Sequence, residues 1–345
     1  MMGTNIGVLL KKRKIKLEYL TSKTVAVDAN NMLYQFLALI RKPNGSPLTD
    51  AKGRITSHLV GLVFRTTHLM VKYDIRPIFI FDGKPHILKR YALKKRREQR
   101  EKALREWQKA LKEGRFDKAF SKAVASALLT RDMIADAKKV IEYMGLPIVQ
   151  APSDAEAQAA YIVAKGDAWC VCSRDYDSVL YGAPRLVRYL TISGTEFLPS
   201  LGLVKPLIPE IITLEETLRY LGITRQQLID IAILVGTDFN EGVKGIGPKT
   251  AFKLIKKYGS MEKLPYKILD KINFDYRAVR EIFLHPEVSD DYSIVFKKPD
   301  IGKLGDFLLN EKNFSPKRVK VIVNRLEKHA FLPQKSIDEW VMGSG

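Results

Sequence analysis

The chain has 345 residues, 46% of them hydrophobic and 28% charged, which is enough apolar material for a sizeable core and excludes a mainly disordered state. Lys and Arg number 58 against 38 Asp and Glu, and a net charge of +20 calls for a polyanionic partner, either nucleic acid or an anionic membrane. No stretch reaches the ~20 apolar residues of a membrane span, and Met1-Met2-Gly3-Thr4 with Lys11-Lys12-Arg13-Lys14 behind it lacks the order of a signal peptide, so nucleic acid leads and the expected location is cytoplasmic, or nuclear in a eukaryote.

Lys23-Thr24-Val25-Ala26-Val27-Asp28 reads as a short buried strand ending in a carboxylate. Arg76 to Asp82 reads the same way, as does Ala168 to Ser173, followed by Arg174-Asp175-Tyr176-Asp177. Helical patterns over roughly 30–41, 56–73, 132–144 and 154–165 alternate with these strands, which predicts an α/β fold with a mostly parallel sheet. Ligands in such sheets bind beyond the carboxyl ends of the strands, where the aspartates stand. Between Lys89 and Lys118 there are 13 basic and 5 acidic residues, an inserted basic helix with Leu104, Trp107 and Leu111 expected on one face. Gly114 breaks it, and a more apolar helix is expected from Lys118 to Leu129. From residue 208 the pattern is mainly helical: Leu214–Leu221, Gln226–Val235, and a helix opened by Gly245-Ile246-Gly247-Pro248-Lys249 that runs to Tyr258. The last fifteen residues read as a tail.

Cys170 and Cys172 lie two apart on a strand, a spacing that suits buried reduced thiols and not a bridge. The five histidines make no zinc spacing and there is no GxSxG elbow, so zinc and serine-hydrolase chemistry drop out. The carboxylates carry the most information. Asp28, Asp82, Asp175 and Asp177 fall at strand ends, Asp154 and Glu156 in Ala151-Pro152-Ser153-Asp154-Ala155-Glu156, and Asp238 in Gly236-Thr237-Asp238. Gathered at one sheet edge they would repel one another unless a cation neutralised them. Mg²⁺ takes oxygen ligands, and two such ions about 4 Å apart suit phosphodiester hydrolysis.

Each residue also has a purely structural reading. Ser153 and Glu156 spell a capping box, Asp28 suits an N-cap, and Asp175-x-Asp177 suits a turn. The basic helix reads either as a solvated surface or as a clamp on a phosphate backbone. Gly245-x-Gly247-Pro248-Lys249 fails as a P-loop, since Pro248 interrupts the Gly-Lys pair and no strand leads into it. It reads better as a helix–hairpin–helix type of turn whose amides meet a phosphate, or as a plain helix connection.

In order and spacing, Val27-Asp28-Ala29-Asn30, Phe81-Asp82-Gly83-Lys84-Pro85, Ala151 to Ala157, Ser173 to Asp177 and Gly236-Thr237-Asp238-Phe239 resemble the structure-specific 5′ nucleases, most closely the archaeal type of flap endonuclease. The resemblance runs from Gly3 to Trp340. It implies a PIN-like nuclease core, a helical arch and a helix–two-turn–helix that binds duplex. The implied layout is one nuclease domain over 1–330, with an N-terminal region 1–100, an arch near 86–130, an internal region 118–260 and the helix–two-turn–helix near 226–260. A tail over 331–345 completes it.

The resemblance also implies two Mg²⁺, with Mn²⁺ able to substitute. Asp28, Asp82, Asp154 and Glu156 would surround the first, and Asp175, Asp177, Asp238 and a shared Glu156 the second. Lys89 and Arg96 match the arch residues that contact the scissile phosphate, and Tyr34 the aromatic that stacks on an unpaired nucleotide. Gly3, Thr56, Gly245, Gly247 and Lys249 match further DNA contacts, with K⁺ assisting at the 245–249 turn. Position 154 is Asp where the family usually has Glu. Gln334, Ile337 and Trp340 resemble a box that binds the sliding clamp (PCNA) as one helical turn in an apolar pocket. The implied activity is Mg²⁺-dependent 5′-flap cleavage with 5′→3′ exonuclease action, by a monomer that serves Okazaki-fragment maturation and base excision repair. Rival readings are a Holliday-junction or bubble nuclease, a non-catalytic DNA-binding clamp adaptor, and a PIN-type ribonuclease.

Overall fold

The short apolar runs pair into one sheet. In the computed structural model, which describes residues 4–42, 44–191, 194–198 and 203–328, the strands are β1 Lys12–Lys14, β2 Thr24–Asp28, β3 Arg76–Phe81, β4 Ile148–Gln150, β5 Cys170–Cys172, β6 Arg185–Arg188, β7 Gly194–Leu198, β8 Leu203–Leu207 and β9 Glu210–Thr213. The main sheet has the order β1-β9-β6-β5-β2-β3-β4, and β7 pairs with β8 apart from it. The five strands from β6 to β4 run parallel, while β9 is antiparallel to both β6 and β1. The expected α/β architecture with a mostly parallel sheet is therefore present.

The helices are α1 Ala29–Leu39, α2 Ser57–Tyr73, α3 Arg90–Lys112, α4 Phe116–Ala125, α5 Arg131–Tyr143, α6 Ala155–Lys165, α7 Asp177–Leu180, α8 Leu214–Leu221, α9 Arg225–Val235, α10 Pro248–Tyr258, α11 Tyr266–Leu269, α12 Tyr276–Leu284, α13 Ile301–Asp306 and α14 Pro316–Lys328. Successive strand residues point to opposite faces, and each face is roofed by helix. Ala26, Ile78, Ile80, Val149 and Val171 join α6, α7, α9 and α12 in one core. Val25, Val27, Phe79, Phe81, Cys170 and Cys172 join α1, α2, α5 and α14 in the other. The two thiols are free and buried, with Sγ atoms 3.8 Å apart.

Three expectations need correction. The second arch helix spans Phe116–Ala125, not Lys118 to Leu129, because Ser126 closes it and Thr130 already caps α5 through the Met133 amide. The buried stripe of α3 holds Ala103 and Ala110, with Trp107 half-buried, while Leu104 is 40% exposed; small residues permit the close approach of α4. Strand β9 falls inside the stretch read as mainly helical, held by pairing to β6 on one side and β1 on the other.

Behind α9, Asp230 is fully buried and takes Nε of Arg280 at 2.7 Å, while Arg280 Nη1 reaches Glu262 Oε1 at 2.7 Å. This pair locks α12 to α9. Arg280→Ala leaves a buried carboxylate without its cation, so we expect a loss of about 3–5 kcal/mol of stability in urea unfolding; a loss below about 1 kcal/mol would show that water replaces the guanidinium.

Candidate active site

At the carboxyl edge of the parallel strands lies a cleft of about 230 Å³, and all seven acidic residues expected there line it: Asp28, Asp82, Asp154, Glu156, Asp175, Asp177 and Asp238. Asp28 ends β2, Asp82 follows β3, Asp154 and Glu156 follow β4, and Asp175 and Asp177 follow β5. The loops after β3 and β4 are stitched together by Gly83 N–H donating to Ser153 O at 2.6 Å and Lys84 N–H donating to Pro152 O at 3.0 Å. A side chain at Gly83 would run into the Ala151 and Pro152 carbonyls, so only glycine permits this approach. Asp238 arrives from the connection between α9 and α10, a loop closed by Thr237 N–H on Asn240 O at 2.9 Å.

The structural alternatives resolve residue by residue. Asp28 does cap α1, its Oδ1 accepting the Asn31 amide at 2.9 Å, and it lines the cleft as well. Ser153 and Glu156 form no capping box, since α6 has no side-chain cap and Ser173 Oγ donates to Glu156 Oε1 at 2.9 Å. Asp82 takes over at that helix end, accepting the Ala155 amide at 2.9 Å. Asp177 accepts the Thr4 amide at 2.8 Å.

Burial and mutual repulsion set the electrostatics. Burial, then Asp82, pushes Asp28 up to about 8. Burial and Asp238 push Asp177 up to about 6. Burial followed by the neighbouring carboxylates lifts Glu156 and Asp175 well above the ordinary range. Asp82 is raised too by the bulk of protein around it, although the residue itself is solvent-exposed. Facing them, Lys89 Nζ lies 2.7 Å from Asp154 Oδ1 and 3.9 Å from Asp238 Oδ2, and Arg96 pairs with Asp238. Burial opposes the charge on Lys89, but Asp154 and Asp238 outweigh it and raise its pKa.

Seven carboxylates thus face three basic side chains in the lining, Lys89, Arg96 and Arg100. Among the described residues no three of them converge at the separations of a finished metal site. The donor set still fits hard divalent cations: it is all oxygen, partly buried, and short of positive charge.

Tyr34 lines the same cleft, half-buried, with the Arg100 guanidinium 5.8 Å above its ring. Lys89 and Arg96 stand at the base of the arch formed by α3 and α4, and Gly114, with φ +66°, turns the chain between those helices. Leu129, expected in a helix, follows α4 as extended chain and also lines the cleft. Gly245, Gly247 and Lys249 are exposed at the start of α10, where Gly245 has φ +84° and Gly247 precedes the Pro248 that opens the helix. Thr56 sits at the start of α2, only 4% exposed and outside the cleft lining. Gly3, Gln334, Ile337 and Trp340 lie outside the described residues.

Sequence reasoning missed the groups that aim these carboxylates. Asn30 Nδ2 donates to Asp82 Oδ2 at 2.8 Å and Asn31 Nδ2 to Asp175 Oδ2 at 2.7 Å, while Gln35 holds Asn31. Two amides directly after Asp28, on an otherwise apolar helix with Gln35 one turn on, were the available signal. Arg100 could have been found as the residue one turn beyond Arg96. Thr4, Ser173 and Tyr181 left no local pattern.

Two family models match the chain, the XPG N-terminal domain over residues 6–103 and the XPG I-region over 145–238. Flap endonuclease 1 of Methanosarcina barkeri is 48% identical over 345 residues, covering 98% of this chain and 100% of that protein. Flap endonuclease 1 of Methanosarcina acetivorans is 48% identical over 340 residues, again covering 98% and 100%. Among solved structures, flap endonuclease-1 of Methanococcus jannaschii superposes with a TM-score of 0.75 at 43% identity, covering 94% of this chain and 98% of that one.

Proposed function

The chain belongs to the flap endonuclease family, and from that premise we propose how its cleft works and what it binds. It is a structure-specific nuclease that cleaves phosphodiester bonds in DNA flaps, and it is metal-dependent. One observation supports the mechanism: seven carboxylates from five segments of the chain share a cleft with Lys89 and Arg96 at its arch side.

In our reading Asp28, Asp82, Asp154 and Glu156 hold one divalent cation, and Asp175, Asp177, Asp238 and the shared Glu156 a second. The all-oxygen donor set favours Mg²⁺, with Mn²⁺ as a substitute. When bound, such ions ease deprotonation of an attacking water and neutralise charge on the leaving oxygen. The rest is done by the chain itself. Lys89 and Arg96 leave their carboxylate partners to grip the non-bridging oxygens of the scissile phosphate, where charge grows in the transition state. Asn30, Asn31 and Ser173 hold the carboxylates in orientation. Tyr34 stacks on the nucleotide leaving the duplex.

Duplex is held by the α9–α10 turn, where the exposed amides around Gly245 and Gly247 and the side chain of Lys249 meet the sugar–phosphate backbone, with K⁺ assisting. Asp238 belongs to that same connection, so one segment relates the duplex grip to the cut. This arrangement supports incision near the junction of single strand and duplex, together with 5′→3′ exonuclease action, in Okazaki-fragment maturation and base excision repair. Thr56 falls in the region that, in our reading, accepts a one-nucleotide 3′ flap; the residue is buried, so it shapes the wall there.

Residues 1–330 form the nuclease domain, working as a monomer. Gln334, Ile337 and Trp340 in the tail engage the sliding clamp, a reading supported by their spacing. Among the described residues no helix is long and apolar enough to cross a membrane; the expected location remains cytoplasmic.

Product mapping on a 5′-labelled double-flap DNA is the direct test. With Mg²⁺ we expect one principal product at the junction, and with a chelator none. Equal or faster cutting of a bubble or a four-way junction would overturn the flap preference.

A further inference from the structure

Asp154 occupies the N-cap position of α6, with the extended backbone of an ordinary cap (φ −86°, ψ 130°), yet its side chain makes no capping bond. An aspartate there normally folds back onto the amides of the first turn. Something pulls it away. Its Oδ2 accepts the hydroxyl of Tyr181 at 2.7 Å in a buried contact, while Oδ1 is the oxygen that meets Lys89 in the cleft. The Ala155 amide is taken by Asp82.

Tyr181 is itself held from three directions. It closes α7, the helix that begins at Asp177. Its ring lies 5.0 Å from that of Phe283 on α12. Arg225 of α9 donates to Leu180 O at 3.0 Å and to Phe283 O at 2.6 Å, clamping the backbone on both sides of that ring contact. The hydroxyl is therefore fixed in space, and it donates to one Asp154 oxygen only.

We propose that Tyr181 is a positioning residue whose hydroxyl holds Asp154 out of its capping rotamer, turning the other oxygen, which now meets Lys89, towards the cations of the cleft. This rests on the reading of Asp154 as a cation ligand. Removing the hydroxyl lets the short carboxylate return to the helix end, where it satisfies itself at the expense of the site. Groups that orient a metal ligand from behind typically carry a 10–100-fold share of metal affinity.

The test uses the full chain carrying Tyr181→Phe, Asp154→Ala, or both. Mn²⁺ binding without DNA is followed by electron paramagnetic resonance of the free ion, and single-turnover cleavage is titrated with Mg²⁺. Tyr181→Phe should weaken Mn²⁺ binding about tenfold or more. The Mg²⁺ midpoint should shift by a similar factor, with the rate at saturating Mg²⁺ nearly recovered. Asp154→Ala should lose at least as much, and adding Tyr181→Phe to it should cost less than about twofold further. If Asp154→Ala weakens binding and Tyr181→Phe does not, the positioning role is wrong while the ligand reading stands. If neither changes binding, the ligand reading fails and takes the inference with it. If the two losses add in full, Tyr181 acts through some other group and the inference is overturned.

Discussion

Asp175→Asn should bind double-flap DNA in Mg²⁺ nearly as well as the parent chain and cut it at least about a thousandfold more slowly, a barrier increase of roughly 4 kcal/mol. Asparagine keeps the shape of the side chain and an oxygen for the Asn31 amide that now reaches Asp175 at 2.7 Å. What disappears is one negative charge in a cleft whose acidic side chains outnumber its basic ones. Binding should survive because the proposed duplex grip and the basic arch lie on other elements. Without divalent ions the same substitution should raise the thermal midpoint. Burial, Asp177 and Asp28 all disfavour the ionised form of Asp175, and a carboxyl raised in this way costs the folded state stability once the pH exceeds its ordinary range. Opposite signs for rate and stability would mark a functional carboxylate. Near-parent cleavage in a single-turnover assay would remove Asp175 from the site.

Lys89→Ala and Arg96→Ala should each slow cleavage of fully bound DNA by about 10²–10³-fold, the range lost when one donor to a developing oxyanion is removed. Both cations already sit among the carboxylates, Lys89 touching Asp154 and Asp238 and Arg96 touching Asp238. A phosphate entering the cleft would meet two positive groups poised beside the carboxylates that line it. The rest of α3 carries many more basic residues, so losing one should change affinity by less than about tenfold and lower the salt slope by about one. The discriminating measurement is the rate at saturating enzyme against the dissociation constant. Loss of affinity with an unchanged rate would make these residues anchors only.

Much of the scaffold was legible because its signals are local. β2 and β3 are near-continuous apolar runs with Asp at or just past the end, and such runs are buried on both faces in a parallel sheet. Helices α1, α2, α5 and α6 announced themselves by period. β4 and β6 did not, being three and four residues long, too short for any alternation to show. They exist because β3 and β5 offer them open edges. The end of α4 was misjudged for a related reason. Leu128 and Leu129 look like helix continuation, but Thr130 caps the next helix, and Leu129 turns to the lining of the cleft.

The sequence by itself determined the chemistry on offer: oxygen donors behind strand ends, a basic arch to face them, and a glycine turn at the start of α10. Those are properties of residue type and short-range spacing, and they hold wherever the strands settle. Tertiary structure alone decided what each carboxylate does with its two oxygens. Asp28 caps a helix and lines the cleft, Asp82 caps a helix that begins more than seventy residues later, and Asp154 abandons its own helix for Tyr181 and Lys89. The reason is that a carboxylate crowded by protein must find its hydrogen-bond partners close at hand, and its neighbours come from chain segments whose distance in sequence says nothing about their distance in space.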